Sequence, residues 1–144
     1  MIFHGTRNRT KRIWLNFSRR CQNISDDGMS EINRGLSKLK NLSNLALNFS
    51  SFEKITDVGL CQAINKLESF EQLKVLNLNV SGSYNIKGDG LFEASSALKN
   101  LTSLDILTLR FSSCLNITEE GMIKISFALG QIHNLRKLFL DFHW

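Results

Sequence analysis

Histidine and cysteine are the side chains that most often supply metal ligands and nucleophiles, and this chain has three of each. His4, His133 and His143 are scattered along it. Cys21, Cys61 and Cys114 are odd in number, and no two have CxxC spacing. A metal site needs clustered ligands, and a nucleophile needs a base within reach. The sequence brings neither together. The segment Gly82-Ser-Tyr-Asn-Ile-Lys-Gly-Asp-Gly90 is glycine-containing, but it has neither the GxGxxG nor the phosphate-loop spacing. The expectation is a chain with no metal, no cofactor and no enzymatic activity.

Basic side chains form the other chemical cluster. Residues 1–25 hold Arg7, Arg9, Lys11, Arg12, Arg19 and Arg20 and no acid, so they carry six positive charges. The remaining 12 basic and 13 acidic side chains nearly cancel, so the net charge of +5 belongs to this amino-terminal segment. Such an arm suits an anionic partner, RNA or an acidic protein surface, with Trp14 available to stack on a base. A solvated terminus is the plainer alternative.

The length of 144 residues fits one domain. At 42% apolar and 22% charged residues, the composition is that of an ordinary globular chain. No apolar run approaches the ~18 residues of a membrane span, and the first twelve residues, MIFHGTRNRTKR, contain no apolar signal segment. Eight glycosylation sequons are present, at Asn8, Asn16, Asn23, Asn41, Asn48, Asn79, Asn100 and Asn116. Three of them, Asn16, Asn48 and Asn79, fall on expected strands, where glycan would crowd a sheet. Sequons so placed, with unpaired cysteines, favour a reducing intracellular compartment. The cytoplasm is the first expectation. An organelle such as the mitochondrion is the second, because an arginine-rich, acid-poor start also suits a transit segment.

The elements that must position these residues follow from a repeat. Gly28, Gly59, Gly90 and Gly121 are spaced 31 residues apart, as are Ile24, Ile55, Ile86 and Ile117. Leu36, Leu67, Leu98 and Leu129 keep the same step, and so do Leu42, Leu73, Leu104 and Leu135. One extra residue lies between Phe17 and Ile24. Each unit opens with alternation, as in Leu73-x-x-Leu76-x-Leu78-x-Val80, which predicts a half-buried strand. It then switches to helical spacing. Leu60, Ala63, Ile64 and Leu67 make one apolar stripe, and Met29, Ile32 and Leu36; Leu91, Ala94 and Leu98; and Met122, Ile125 and Leu129 repeat it. Ser25, Thr56 and Thr118 precede acidic residues and predict capped helix starts. Lys87-Gly88-Asp89 breaks that pattern and predicts a weaker start. A glycine in the first turn of a helix costs up to about 1 kcal/mol, so its recurrence implies a close backbone approach.

The Leu73-x-x-Leu76-x-Leu78 segment and the Ile-Thr-x-x-Gly-Leu/Met segment before the helix resemble a leucine-rich repeat of the ribonuclease-inhibitor and cysteine-containing types. Ser18, Ser50, Ser81 and Ser112 stand where that family usually has Asn or Cys. The resemblance implies an α/β solenoid: a curved parallel sheet on the concave face and helices on the convex face. The expected organisation is a basic arm over residues 1–9 and a leucine-rich-repeat domain of about four and a half repeats over 10–144.

In that fold the residues between the leucines reach the concave face. The candidate partner-binding residues there are Arg12, Trp14 and Asn16 on the first strand, Asn48 on the second, and Asn77 and Asn79 on the third. Arg110 follows on the fourth, and Lys137, Phe139 and Asp141 on the fifth. Asn16, Asn48 and Asn79 equally suit a structural ladder. A second candidate patch, Phe92, Ile123 and Phe127, lies beside the helical stripe, where packing between adjacent helices is the alternative.

The segment from Leu138 to Trp144 has no further unit after it in the sequence. Its strand edge, with Phe142 and Trp144, is expected to be covered by a partner, by self-association or by a longer array. Cys21 and Cys114 sit in similar loops roughly 14 Å apart by strand spacing, too far for a disulfide. The function expected is a non-enzymatic protein–protein interaction module, a scaffold or accessory subunit of a larger assembly. The alternative is an RNA-contacting ribonucleoprotein subunit that uses the basic segment.

Overall fold

A computed structural model describes residues 11–17, 23–39 and 41–143 of the chain. Five strands form one sheet in the order β1-β2-β3-β4-β5, each parallel to its neighbour. They are β1 (Lys11–Asn16), β2 (Leu42–Asn48), β3 (Val75–Asn79), β4 (Ile106–Arg110) and β5 (Lys137–Asp141). Parallel neighbours need a crossover between them. It is supplied by α1 (Asp26–Leu36), α2 (Asp57–Asn65), α3 (Asp89–Glu93) with α4 (Ser95–Asn100), and α5 (Glu119–Gly130). The protein is therefore an α/β molecule with a single open sheet. Among the described residues, no helix is long and apolar enough to cross a membrane.

The register follows the period in the sequence. Leu45, Leu76, Leu107 and Leu138 are paired in one row across the sheet, and Leu47, Leu78, Leu109 and Leu140 in the next. From Arg12 to Asn16, β1 pairs one residue off that period, after an irregularity between Lys11 and Arg12. This offset absorbs the extra residue between Phe17 and Ile24. The leucines of β2, β3 and β4 are buried together with Leu60, Ala63 and Ile64 of α2 and Leu91, Ala94 and Leu98 of the third unit. The core thus lies between one face of the sheet and the helices. At the carboxyl end of the strands, Phe17 stacks on Phe49 and Phe111 on Phe142, both with ring centroids 5.2 Å apart.

From the second unit on, the repeated glycine marks where the helix meets the unit before it; Gly28 meets Ile24 of its own unit. A methyl group added at Gly90 would overlap the Asp57 carbonyl, and one at Gly121 would overlap the Lys87 carbonyl. At Gly59 the obstacle is the Asp26 side chain. The acidic residues act across units as well. Asp26 accepts from the Thr56 N–H at 2.9 Å and from its hydroxyl at 2.7 Å. Asp57 accepts from the N–H groups of Lys87, Gly88 and Gly90 at 2.8, 3.1 and 3.0 Å. Thr56 and Thr118 cap their own helices, accepting from the N–H groups of Val58 and Gly121. Ser25 departs from expectation, because its side chain makes no cap bond.

The third unit has the weak start that its sequence predicts. Gly88 replaces the acid of the other units and adopts a left-handed φ of 106°. The helix there is only five residues long and breaks at Ala94 before α4 begins. One buried polar residue had no local signal. Asn33 lies in α1 at 2% exposure, and its amide donates to the Ala63 carbonyl at 2.8 Å. That carbonyl lies where α2 tightens into the 3-10 turn Lys66–Ser69.

These contacts make sharp mutational predictions. Gly90→Ala should cost at least about 2 kcal/mol, because rigid backbone must move to admit the methyl group. Gly35→Ala, with nothing near its added methyl, should stabilise the protein by about 0.5–1 kcal/mol. Asp57→Ala should cost about 1–2 kcal/mol through three lost acceptor bonds. Urea unfolding of the three variants checks all of these.

Candidate functional site

Alternation leaves one side chain in two on the sheet face away from the core. The middle row of that face runs Trp14, Ala46, Asn77, Thr108 and Phe139. Trp14 is 80% exposed and Phe139 57% exposed, with small side chains between them. At about 4.8 Å per strand, the two aromatics stand roughly 19 Å apart. The row therefore forms a trough with an aromatic wall at each end. Thr108 lies on its floor, buried to 8%.

Trp14 stands between two hollows. One, of about 330 Å³, runs past Ala46, Asn48, Asn77 and Asn79 to Arg110. The other, of about 180 Å³, lies toward Arg12, Asn44 and Val75. Arg12, Trp14 and Arg110 are exposed, and Asn77 is half-buried in the trough wall. Alternation therefore places these residues on one face, and the structure brings them around two neighbouring depressions that share Trp14, Ala46 and Asn77.

The asparagine rows are already engaged. The Asn48 side chain donates to Asn16 at 3.0 Å and accepts from the Ser50 N–H at 3.1 Å. Asn79 accepts from the Ser81 N–H at 2.9 Å. These bonds set the turns that follow the strands, where Ser51, Gly82 and Ser113 all take positive φ. A cross-strand side-chain bond thus joins Asn16 and Asn48, while Asn79 is bonded within its own turn. Arg110 takes the next place in the row, and Asp141 the one after.

Charge is concentrated at β4 and β5. Asp141 is held below the ordinary carboxylate range by the Ser112 hydroxyl first, then by the His143 N–H, with a smaller effect from Arg110. Asp105 and Arg136 form a two-point ion pair at the strand starts, with the second contact at 2.7 Å. The Arg136 bond likewise holds the Asp105 carboxyl down. The sequence carried a signal for this pair, because the two residues are 31 apart and share one column.

The second patch lies on the helices. Phe92 of α3 meets Phe127 of α5 at 6.2 Å between centroids. Helix-to-helix packing therefore explains part of it, yet Phe127 is 60% exposed and Ile123 64%. Lys124 bridges Asp89 of α3 and Glu120 of its own helix at 2.7 and 2.9 Å.

Among the described residues, the two thiols are held in their protonated form. Cys114 is buried, with its sulfur 3.2 Å from the Val80 carbonyl, and burial pushes its pKa up. Cys61 is raised by burial and then by Glu93. Among the described residues, no three His, Cys, Asp or Glu side chains come together as metal ligands. Arg7, Arg9, Arg19, Arg20, Cys21 and Trp144 lie outside the described residues, and Lys11 opens β1.

No protein-family model matches the chain, and no curated protein sequence is similar to it.

The two lowered carboxyls predict an acid dependence. A carboxyl whose folded pKa is depressed contributes stability that is present above its unfolded value and lost as pH falls through the folded one. The contribution of Asp105 and Asp141 should therefore be complete at neutral pH, fade from about the ordinary 3.8 downward, and vanish below their folded values. Urea midpoints across pH 7 to 2 should show Asp105→Asn losing less stability than wild type over that acidic window.

Proposed function

We propose that the chain is a leucine-rich-repeat solenoid acting as an intracellular, non-enzymatic protein-interaction module, a scaffold or accessory subunit. On this reading the trough lies on the concave face of a curved sheet. The observation that carries it is Trp14, a large aromatic at 80% exposure flanked by two hollows. Tryptophan and arginine dominate binding energy when a partner buries them, and Trp14 and Arg110 line the same hollow. Phe139 would anchor the far end of the trough, with Arg12 and Lys137 above it. The edge of β5 is a second covered surface in the assembly, since Leu138 and Leu140 are each 43% exposed. Phe92, Ile123 and Phe127 offer a third contact on the convex side.

An RNA-contacting subunit is the second reading. It is favoured by six basic residues without an acid in the first 25 residues, and by an exposed Arg12 beside Trp14. Phosphate contact by that segment would be steeply salt-dependent.

The test is native size fractionation of the endogenous protein, with and without RNase, followed by identification of what co-migrates. A complex with fixed protein companions that survives RNase is expected. Trp14→Ala should leave folding stability within about 0.5 kcal/mol and weaken retention of the companion by about 2 kcal/mol. Retention unchanged in a Trp14→Ala, Arg110→Ala double variant would remove the trough as the docking site. An RNase-sensitive shift would favour the RNA reading.

A further inference from the structure

Among the described residues, nothing pairs with the outer edge of β5. Its inner edge is used by alternate residues. The Lys137 N–H donates to the Asp105 carbonyl at 3.0 Å, and the Asp141 carbonyl accepts from the Phe111 N–H at 2.7 Å. Alternation then turns the N–H and C=O groups of Leu138 and Leu140 outward. Their side chains share rows with Leu107 and Leu109, which are buried to 0% and 1%. The opposite face of the same strand reads Lys137, Phe139, Asp141: a cation, an aromatic and an anion.

We propose that β5 pairs antiparallel with β5 of a second copy of the chain, about a two-fold axis at Phe139. This deepens, and rests on, the reading of the β5 edge as covered surface; of the trough it uses only the far wall, Phe139, and neither Trp14 nor Arg110. The sequence of the strand is self-complementary in that register alone. Leu138 lies opposite Leu140 of the other copy, and the reciprocal pair completes four backbone hydrogen bonds through the outward groups. Lys137 lies opposite Asp141 twice, and Phe139 lies opposite itself. These are the non-hydrogen-bonded positions of an antiparallel ladder, where side chains are closest. An isologous contact of this kind closes as a dimer. Adding β1 of another copy in the sheet's own parallel register would instead set Arg12 against Lys137. Such a head-to-tail contact would also not close.

The test is sedimentation of the pure 144-residue chain over about 1–200 µM, a range that populates a micromolar dimer by mass action. A species of twice 16.4 kDa is expected. Lys137→Asp and Asp141→Lys should each weaken it at least about tenfold, because each sets like charges opposite one another. An equimolar mixture of the two should recover the dimer, because each copy then supplies the charge the other lacks. Phe139→Cys should crosslink to itself on oxidation, since the spacing at that pair suits a disulfide. Circular dichroism reports whether each variant is folded.

A wild-type chain that stays monomeric, or a mixture of two folded variants that stays monomeric, would overturn the pairing. So would a crosslink mapped to other residues, or a ladder of species growing beyond two. A monomer that still retains its companion through Trp14 would leave the interaction module standing without the pairing. A dimer whose companion is indifferent to Trp14 and Arg110 would keep the pairing and remove the trough.

Discussion

From the second unit on, each helix starts against the unit before it, and the rest of the structure depends on that contact. Gly90 and Gly121 sit so close to the Asp57 and Lys87 carbonyls that a methyl group could not be accommodated. The same junctions are tied by Asp26 to Thr56 and by Asp57 to three N–H groups. A fixed spacing between helices imposes a fixed spacing between the strands that lead to them. The strands then pair in constant register, and constant register keeps every second side chain in the core. Had the helices stood at variable distances, one slipped residue would have exchanged the two faces of a strand.

Much of this could be read from the amino acids, for a steric reason. Alternation in the strands and spacing in the helices are local periodicities, and Leu60, Ala63, Ile64 and Leu67 are buried as their pattern requires. The glycine column was legible because at Gly90 and Gly121 no other side chain fits against the preceding carbonyl. Bonds between units were harder to see. Asp57 reads locally as a first-turn acid of its own helix, yet it serves the next one. Ser25 stands at the cap position, yet its side chain makes no cap bond. Asn33 reads as a polar helix residue, and its burial depends on the Ala63 carbonyl, which only the stacked unit supplies. The faces of Trp14, Arg110 and Phe139 could likewise be assigned from alternation. The hollows beside Trp14 could not, because they depend on the sizes of Ala46, Asn77 and their neighbours two strands away.

The same side chain also changes character with its place in the stack. Leu109 and Leu140 occupy one row and have the same shape, but the first is buried to 1% and the second is 43% exposed. Burial of an apolar side chain is set by what lies on both sides of it. The asparagines make the converse point. Asn48 and Asn79 stand on an open face, yet bonds to Ser50 and Ser81 already occupy them. On the proposed reading, recognition on this face falls to the residues that leave those rows, Trp14 and Arg110 above all.

The caps between units all point the same way. Asp26 serves the second unit, Asp57 the third, and the Lys87 carbonyl receives the Thr118 N–H of the fourth at 3.3 Å. During synthesis from the amino terminus, each unit leaving the ribosome meets its acceptor already in place. The polarity also makes the two ends of the array unequal. Shortening from the carboxyl side leaves each remaining helix start from the second unit on its acceptor, whereas shortening from the amino side strips the first surviving one. The stack thus has a built-in direction of growth.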